Sequence, residues 1–258
     1  LGGLFLVYGF WFMVYGWGWS GFFYGVSDIR PQHPTANLQL PTSIRYLCLM
    51  NLSPTAKQQW KAGMVVTAIT AVILLVLSWR MGRVDAFLLL NHDLGKTADL
   101  FFRYATNLGD GIVWVPVVIL TFIYRRYATW MVIGAIVIST LIAQSSKHIF
   151  FSQTQRPAAV IQDASLLHTV AGVTVHSSNS FPSGHTTTAF TIMLLACLLI
   201  RGRWVLPLGF ILALTAAYSR VYLAQHFPLD LAGGMMAAMI TTWLCSLLPG
   251  MGQKNREA

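Results

Sequence analysis

Two histidines, His185 and His226, stand in surroundings suited to moving a phosphoryl group. His226 follows Ser219-Arg220 by six residues from the arginine and precedes Asp230 by four. At an i,i+4 offset a carboxylate reaches an imidazole across one helical turn, fixes its tautomer and stabilises the imidazolium. The second ring nitrogen is then left to attack phosphorus. A purely structural His–Asp pair has the same spacing, so the dyad alone decides nothing.

His185 closes the tetrapeptide Pro182-Ser183-Gly184-His185, between a polar loop and an apolar run. Ser183 suits an N-cap, and the free amides of a helix start bind anions. Gly184 lets a phosphate oxygen come close to the backbone, and His185 beside it can supply a proton. The plainer reading is a capped helix with an incidental histidine. Lys147 and Arg156-Pro157 add a point charge and a bidentate fork for phosphate. Each of these cations alone reads as a side chain snorkelling at a membrane surface. Among the other histidines, His148, His168 and His176 have no carboxylate at metal-ligand spacing, so no metal is expected. Asp110, in the turn Asn107-Leu108-Gly109-Asp110-Gly111, is a minor candidate for a substrate contact.

Placement separates chemistry from incident. Of the 258 residues 55% are hydrophobic and 10% charged, and the mean hydropathy is +0.61. A soluble domain carries about 25% charged residues, so the chain reads as an all-α, polytopic membrane protein. Six apolar segments form a series at about 62–79, 111–124, 127–146, 184–200, 204–222 and 229–248. The second is short for a crossing, with Pro116 in its first turns, where a missing N–H matters least. Lys57 and Lys61, Arg125-Arg126, Arg201 with Arg203, and Lys254 with Arg256 fall on one side if the segments alternate. By the positive-inside rule that side is cytoplasmic. The 80–110 loop, the 147–183 loop and the 223–228 turn then lie outside, although Arg80, Arg83, Lys96 and Arg103 weaken the contrast. All the candidate residues land on that outer side.

The formal net charge of +9 is scattered singly or in pairs. It makes no basic stripe, so nucleic acid is not an expected partner. The three cysteines show neither a disulfide framework nor zinc-ligand spacing. Residues 1–26 are apolar, Gly-rich and aromatic, and read as a seventh span or an interfacial segment. The Pro-containing stretch that follows reads as a linker. The expected organisation is therefore an N-terminal segment and linker over 1–59, a six-span domain over 60–250 and a polar cytoplasmic tail over 251–258.

The sequence resembles the type 2 phosphatidic acid phosphatase superfamily, whose signatures are Lys-x6-Arg-Pro, Pro-Ser-Gly-His and Ser-Arg-x5-His-x3-Asp. The second stands intact at 182–185 and the third fits from Ser219 to Asp230. The first departs, with eight residues instead of six between Lys147 and Arg156. Seven helical steps return to nearly the same face and nine do not. The helix is therefore expected to end soon after Lys147, with a loop bringing Arg156 back. The resemblance covers about 60–250.

It implies a metal- and cofactor-independent hydrolysis of a lipid phosphate in two steps. His226 would form a phosphohistidine with Asp230 orienting it, and His185 would act as acid and then base. Lys147, Arg156, Ser183, Gly184 and Arg220 would hold the phosphate. Phosphatidate, phosphatidylglycerophosphate, polyprenyl diphosphate and lipid A phosphates are all permitted substrates. The expected location is a bacterial cytoplasmic membrane with the site on the periplasmic face. Two other readings stay open: a phosphotransferase passing the phosphoryl group to another lipid, and a non-catalytic lipid-phosphate binding or transport protein.

Overall fold

The structure, a computed structural model, describes residues 54–247. The expected aromatic segment at 1–26, most of the linker and the 251–258 tail lie outside the described residues. Every described regular element is helical. In chain order these are α1 (Pro54–Met81), α2 (Arg83–Leu90), α3 (Lys96–Ala105), α4 (Trp114–Tyr124), α5 (Arg126–Ser145), α6 (Pro157–Val160), α7 (Gly184–Leu199), α8 (Val205–Tyr222) and α9 (Pro228–Ser246). Short 3-10 turns at Thr106–Gly109 and Gly111–Val113 join α3 to α4.

Each of the six expected apolar segments forms a helix, but they are not equivalent. Helices α1, α5, α8 and α9 are long and apolar enough to cross a membrane. The second expected span is a bent pair, Lys96–Gly109 with Gly111–Tyr124, turning by 55°. The fourth, α7, has only 16 residues, about 24 Å at 1.5 Å per residue. It is short because it is central: it packs on α1, α5, α8 and α9, and eleven of its residues are buried. A helix sheathed in protein need not match the hydrocarbon thickness.

The expected outer loop at 80–110 is a correction. It holds two helices, α2 and α3, bounded by Gly82 and Gly95 at φ +83° and +88°. Those left-handed values favour glycine. The α2 helix sinks Ala86 and Phe87 into the core, which a loop could not do.

The core is closed by small residues at helix crossings. Ala213, Ala216 and Ala217 of α8 and Gly233, Gly234 and Ala238 of α9 let backbones approach α7 and its entry, as is usual where lipid supplies no hydrophobic drive between helices. A Cβ at Gly234 would lie 2.7 Å from the Ser183 carbonyl oxygen, and one at Gly233 would overlap the Phe181 ring. A Cβ at Gly109 would lie 2.6 Å from the His185 carbonyl oxygen. The start of α7 is thus wedged between the first 3-10 turn and the first turns of α9.

Candidate active site

The N-terminus of α7 is the floor. Ser183 caps it, its hydroxyl accepting from the Thr186 amide at 3.4 Å and from the Thr186 hydroxyl at 3.0 Å. The Ser183 amide donates to the Asp230 carbonyl at 3.0 Å, which ties the tetrapeptide to α9. His185 is partly exposed and lies 3.8 Å from the Asp110 carboxylate.

The turn from α8 to α9 carries the dyad. Ala224 takes φ +54°, uncommon for a residue with a Cβ. The turn folds so that the Gln225 and His226 amides both donate to the Arg220 carbonyl, at 2.8 and 3.1 Å. Pro228 opens α9, where its fixed φ suits a first helical residue. Asp230 at the third helical position reaches back and accepts the Phe227 amide at 2.9 Å, half of a capping box. The same oxygen accepts from Ser180 at 2.5 Å and from His226 Nδ1 at 3.4 Å. One carboxylate oxygen therefore caps a helix and orients the ring. Among the described residues, Nε2 of His226 makes no hydrogen bond. Burial pushes the His226 pKa down to about 4, with Asp230 opposing and Arg156 and Arg220 adding to the fall. A neutral imidazole is the form that can act as a nucleophile.

Cations surround the ring. Arg220 is 8% exposed, donates to the Thr106 hydroxyl at 2.7 Å, and has a buried Nε with no partner. Arg156 donates through Nε to the Ser178 carbonyl at 2.8 Å and through a terminal nitrogen to the Gln225 amide oxygen at 3.1 Å. Burial lowers the Arg156 pKa, with Asp230 opposing, yet a guanidinium keeps its proton in proteins. Lys147 falls on a π turn, Ser146–Phe150, that ends α5, a distortion frequent at functional sites. Its Nζ lies 3.8 Å from where a Cβ of Gly184 would stand. The helix does end soon after Lys147, and residues 151–155 return the chain to Arg156. Two contacts pin that return: the Arg156 amide donates to the Ser177 carbonyl at 2.9 Å, and the Ser180 amide to that of Thr154 at 3.1 Å.

The structure thus brings together all eight residues singled out in the sequence. His185 lies within electrostatic reach of Arg220, His226, Lys147 and Arg156. None of the three cations makes a carboxylate ion pair among the described residues. Clustered cations without a direct ion pair are costly to remove from water, and a bound anion relieves that cost. Such a donor set suits an anion and not a metal ion.

Sequence reasoning missed Thr106, Gln225 and Ser180, which hold Arg220, Arg156 and Asp230. Gln225 adjoins His226, but nothing in the type or spacing of Thr106 or Ser180 announces a partner. A second correction concerns His168. No carboxylate stands at metal-ligand spacing from it in sequence, yet the fold brings Asp99 to 3.0 Å and Asp93 to 4.0 Å. Their ligand atoms lie within 4.8 Å of one another, close enough for a metal ion. Tyr222 also donates to Asp99, at 2.7 Å.

The model of the PAP2 superfamily matches residues 111–253, more than half of the chain. An undecaprenyl-diphosphatase of Sulfolobus acidocaldarius is 29% identical over 171 residues, 64% of this chain and 75% of that protein. The putative undecaprenyl-diphosphatase YbjG of Escherichia coli K12 is 37% identical over 106 residues, 41% of this chain and 49% of that relative. Aquifex aeolicus LpxE superposes with a TM-score of 0.56 at 30% identity, covering 63% of this chain and 93% of that one. The first transmembrane PAP2-type phosphatidylglycerolphosphate phosphatase of Bacillus subtilis gives a TM-score of 0.50 at 20% identity, covering 73% and 94%. That last likeness is one of fold.

Proposed function

The chain belongs to the PAP2 superfamily, and from that premise we propose that it is a membrane lipid phosphatase working through a phosphohistidine at His226. In the first step Nε2 of His226 attacks phosphorus, a P–N bond forms and the P–O bond to the lipid breaks. His185 gives its proton to the leaving oxygen. In the second step His185 takes a proton from water, the water oxygen forms a new bond to phosphorus as the P–N bond breaks and returns its electron pair to Nε2, and inorganic phosphate leaves. Lys147, Arg156, Arg220 and the α7 amides stabilise the charge that builds on the equatorial oxygens. With a diphosphate substrate, the leaving group is the lipid monophosphate.

The observation carrying this reading is a set of three cations, none in a direct carboxylate ion pair, gathered about His185 and His226, with Nδ1 of His226 tied to Asp230 and its Nε2 free. The names of the relatives make undecaprenyl diphosphate the first substrate to try, ahead of phosphatidate, phosphatidylglycerophosphate and lipid A phosphates. The site faces the external membrane–water boundary in this proposal, as the lysine and arginine distribution favours. The domain begins near α1 and runs through α9.

The test is phosphate release from these lipids by the purified full-length chain, in detergent with a metal chelator. Release from at least one lipid is expected, together with an acid-labile, alkali-stable phosphoryl adduct that His226→Ala lacks. Abolition by the chelator, or turnover surviving in His226→Ala, would overturn the mechanism. Release that rises only when an acceptor lipid is added would make the protein a phosphotransferase.

A further inference from the structure

The corner between α1 and α2 carries a site whose walls include none of the three cations of the phosphate cradle. Two lateral cavities, of about 480 and 290 Å³, meet there and share Leu75, Arg83 and Leu229 in their walls. The larger runs along α1 past Val76, Ser78 and Trp79. The smaller runs between Phe151, Phe181 and Met236 and ends against Asp230 and Ser180. Apart from Arg83 at their junction and polar groups at the ends, both are walled by hydrocarbon. Ala71 and Phe87 back the corner from inside the core.

The polar groups at the junction are not satisfied by the protein. Ser78 is 7% exposed, and its hydroxyl has no partner, not even a carbonyl of its own helix. An unpaired buried hydroxyl is destabilising unless something occupies the cavity it faces. Arg83 stacks over the Phe227 ring at 4.9 Å and makes no ion pair among the described residues. Arg80 lies 5.9 Å over the Trp79 ring and is equally unpaired. Asp85 is exposed nearby in the chain but bridges neither. Snorkelling would account for one exposed arginine at the end of a span. It does not account for two arginines, a buried orphan hydroxyl and a pair of grooves meeting at one point.

We propose that this corner binds an anionic two-chain phospholipid of the surrounding membrane. The headgroup phosphate sits on Arg83, with Arg80 adding charge, and an ester oxygen accepts from Ser78. The two acyl chains follow the two grooves along α1 and across α9. The occupant is double-chained because one guanidinium stands where two grooves join. It is anionic because the charge there has no internal counterpart. The smaller groove reaches the pair Asp230 and Ser180, so the bound lipid buttresses the element that orients His226.

The experiment uses the full chain in neutral micelles and Trp79 fluorescence, isolated as the difference from Trp79→Phe. Phosphatidylglycerol or phosphatidylcholine with brominated chains is titrated in as quencher. Phosphatidylglycerol should quench at roughly tenfold lower mole fraction, the value of one charge-assisted hydrogen-bonded contact. Arg83→Gln should erase that preference, Arg83→Lys should restore it, and saturating inorganic phosphate should leave it unchanged. Equal quenching by the two lipids, or an unchanged preference in Arg83→Gln, would overturn the proposal. Displacement of the lipid by phosphate would mean that the grooves belong to the substrate itself. Absence of Trp79-dependent quenching by either lipid would likewise overturn the proposal.

Discussion

His168 and His226 each face an aspartate near the C-terminal end of α8, yet their surroundings differ in one decisive respect. His168 has carboxylates on both ring nitrogens, Asp99 at 3.0 Å and Asp93 at 4.0 Å, and Tyr222 completes the group through Asp99. His226 has one carboxylate on Nδ1 and nothing on Nε2, and it lies within electrostatic reach of Arg156 and Arg220, neither of which makes a direct carboxylate ion pair. The first cluster gathers carboxylates around its ring. The second gathers guanidinium groups, which suit an anion. A His–Asp pair becomes a catalytic dyad when the fold leaves its other nitrogen and the adjoining charge unspent; otherwise it is a latch between segments.

Removal of each ring separates the two sites most strongly. His226→Ala should lower kcat by at least about 10⁵-fold, as removal of a covalent nucleophile does. His168→Ala should change kcat less than about tenfold and act on stability instead. If the two losses are alike, the distinction between dyad and latch is wrong. The aspartates should follow their rings with smaller effects. Asp230→Asn leaves His226 in place but frees its tautomer, for an expected loss of up to roughly 10⁴ in kcat. Asp99→Asn weakens contacts to His168 and Tyr222 and should lower the unfolding temperature, by a loss of about 1–3 kcal/mol, with turnover nearly kept.

The two regions also differ in how far the sequence revealed them. The dyad spans four residues, and the cap stands within the same tetrapeptide as His185, so local spacing carries their geometry. Apolar runs likewise marked α1, α4, α5, α7, α8 and α9, because a membrane helix is written in consecutive residues. The latch joins His168 to Asp99 across 69 positions, and Arg220 meets Thr106 across 114. No periodicity encodes such pairs; they arise when α2 and α3 fold over the end of α8. Those two helices were themselves hidden, because their short, mixed sequences read as a polar connector. The longer Lys147–Arg156 interval was legible as a departure, but its resolution by a π turn needed the backbone.

Closer approaches sharpen the comparison further. At Gly109 an added Cβ would meet the His185 carbonyl oxygen at 2.6 Å, and backbone cannot yield as a side chain can. Gly109→Ala should displace His185 and reduce kcat by on the order of 10²-fold, the cost of roughly 1 Å of misplacement. Ala at Gly172, where φ is +76° and the nearest group is the end of Arg103 at 3.2 Å, should cost stability through backbone strain while leaving kcat within about twofold. Arg220→Lys keeps the charge but loses the planar fork and the Thr106 contact geometry. A fall of roughly 10–10² in kcat/KM is expected.

The smallest effect near neutral pH carries the most information about the dyad. Burial sets His226 at about 4 against an ordinary 6.5, and Asp230 pulls the other way. The nucleophile is the neutral ring, so kcat/KM should gain no acid limb from this group between pH 7 and 5. Below about pH 4 it should fall about tenfold per unit. The stability term has its own sign: the unfolded chain takes up this proton first as acid is added. The contribution of His226 is therefore full above about pH 6.5 and is lost as the pH falls towards 4. Removing the carboxylate in Asp230→Asn deletes the influence that raises the pKa. The remaining activity of that variant should keep its plateau to a still lower pH than the parent, though at a reduced level. Asp99→Asn should leave the acid limb where it is, because that carboxylate serves the other ring. Kinetics of the three proteins from pH 3 to 7 would show whether Asp230 and His226 titrate as one unit. A limb that moves upward in Asp230→Asn would mean that the carboxylate does not face the reacting imidazole, and the dyad would then be no different from the latch.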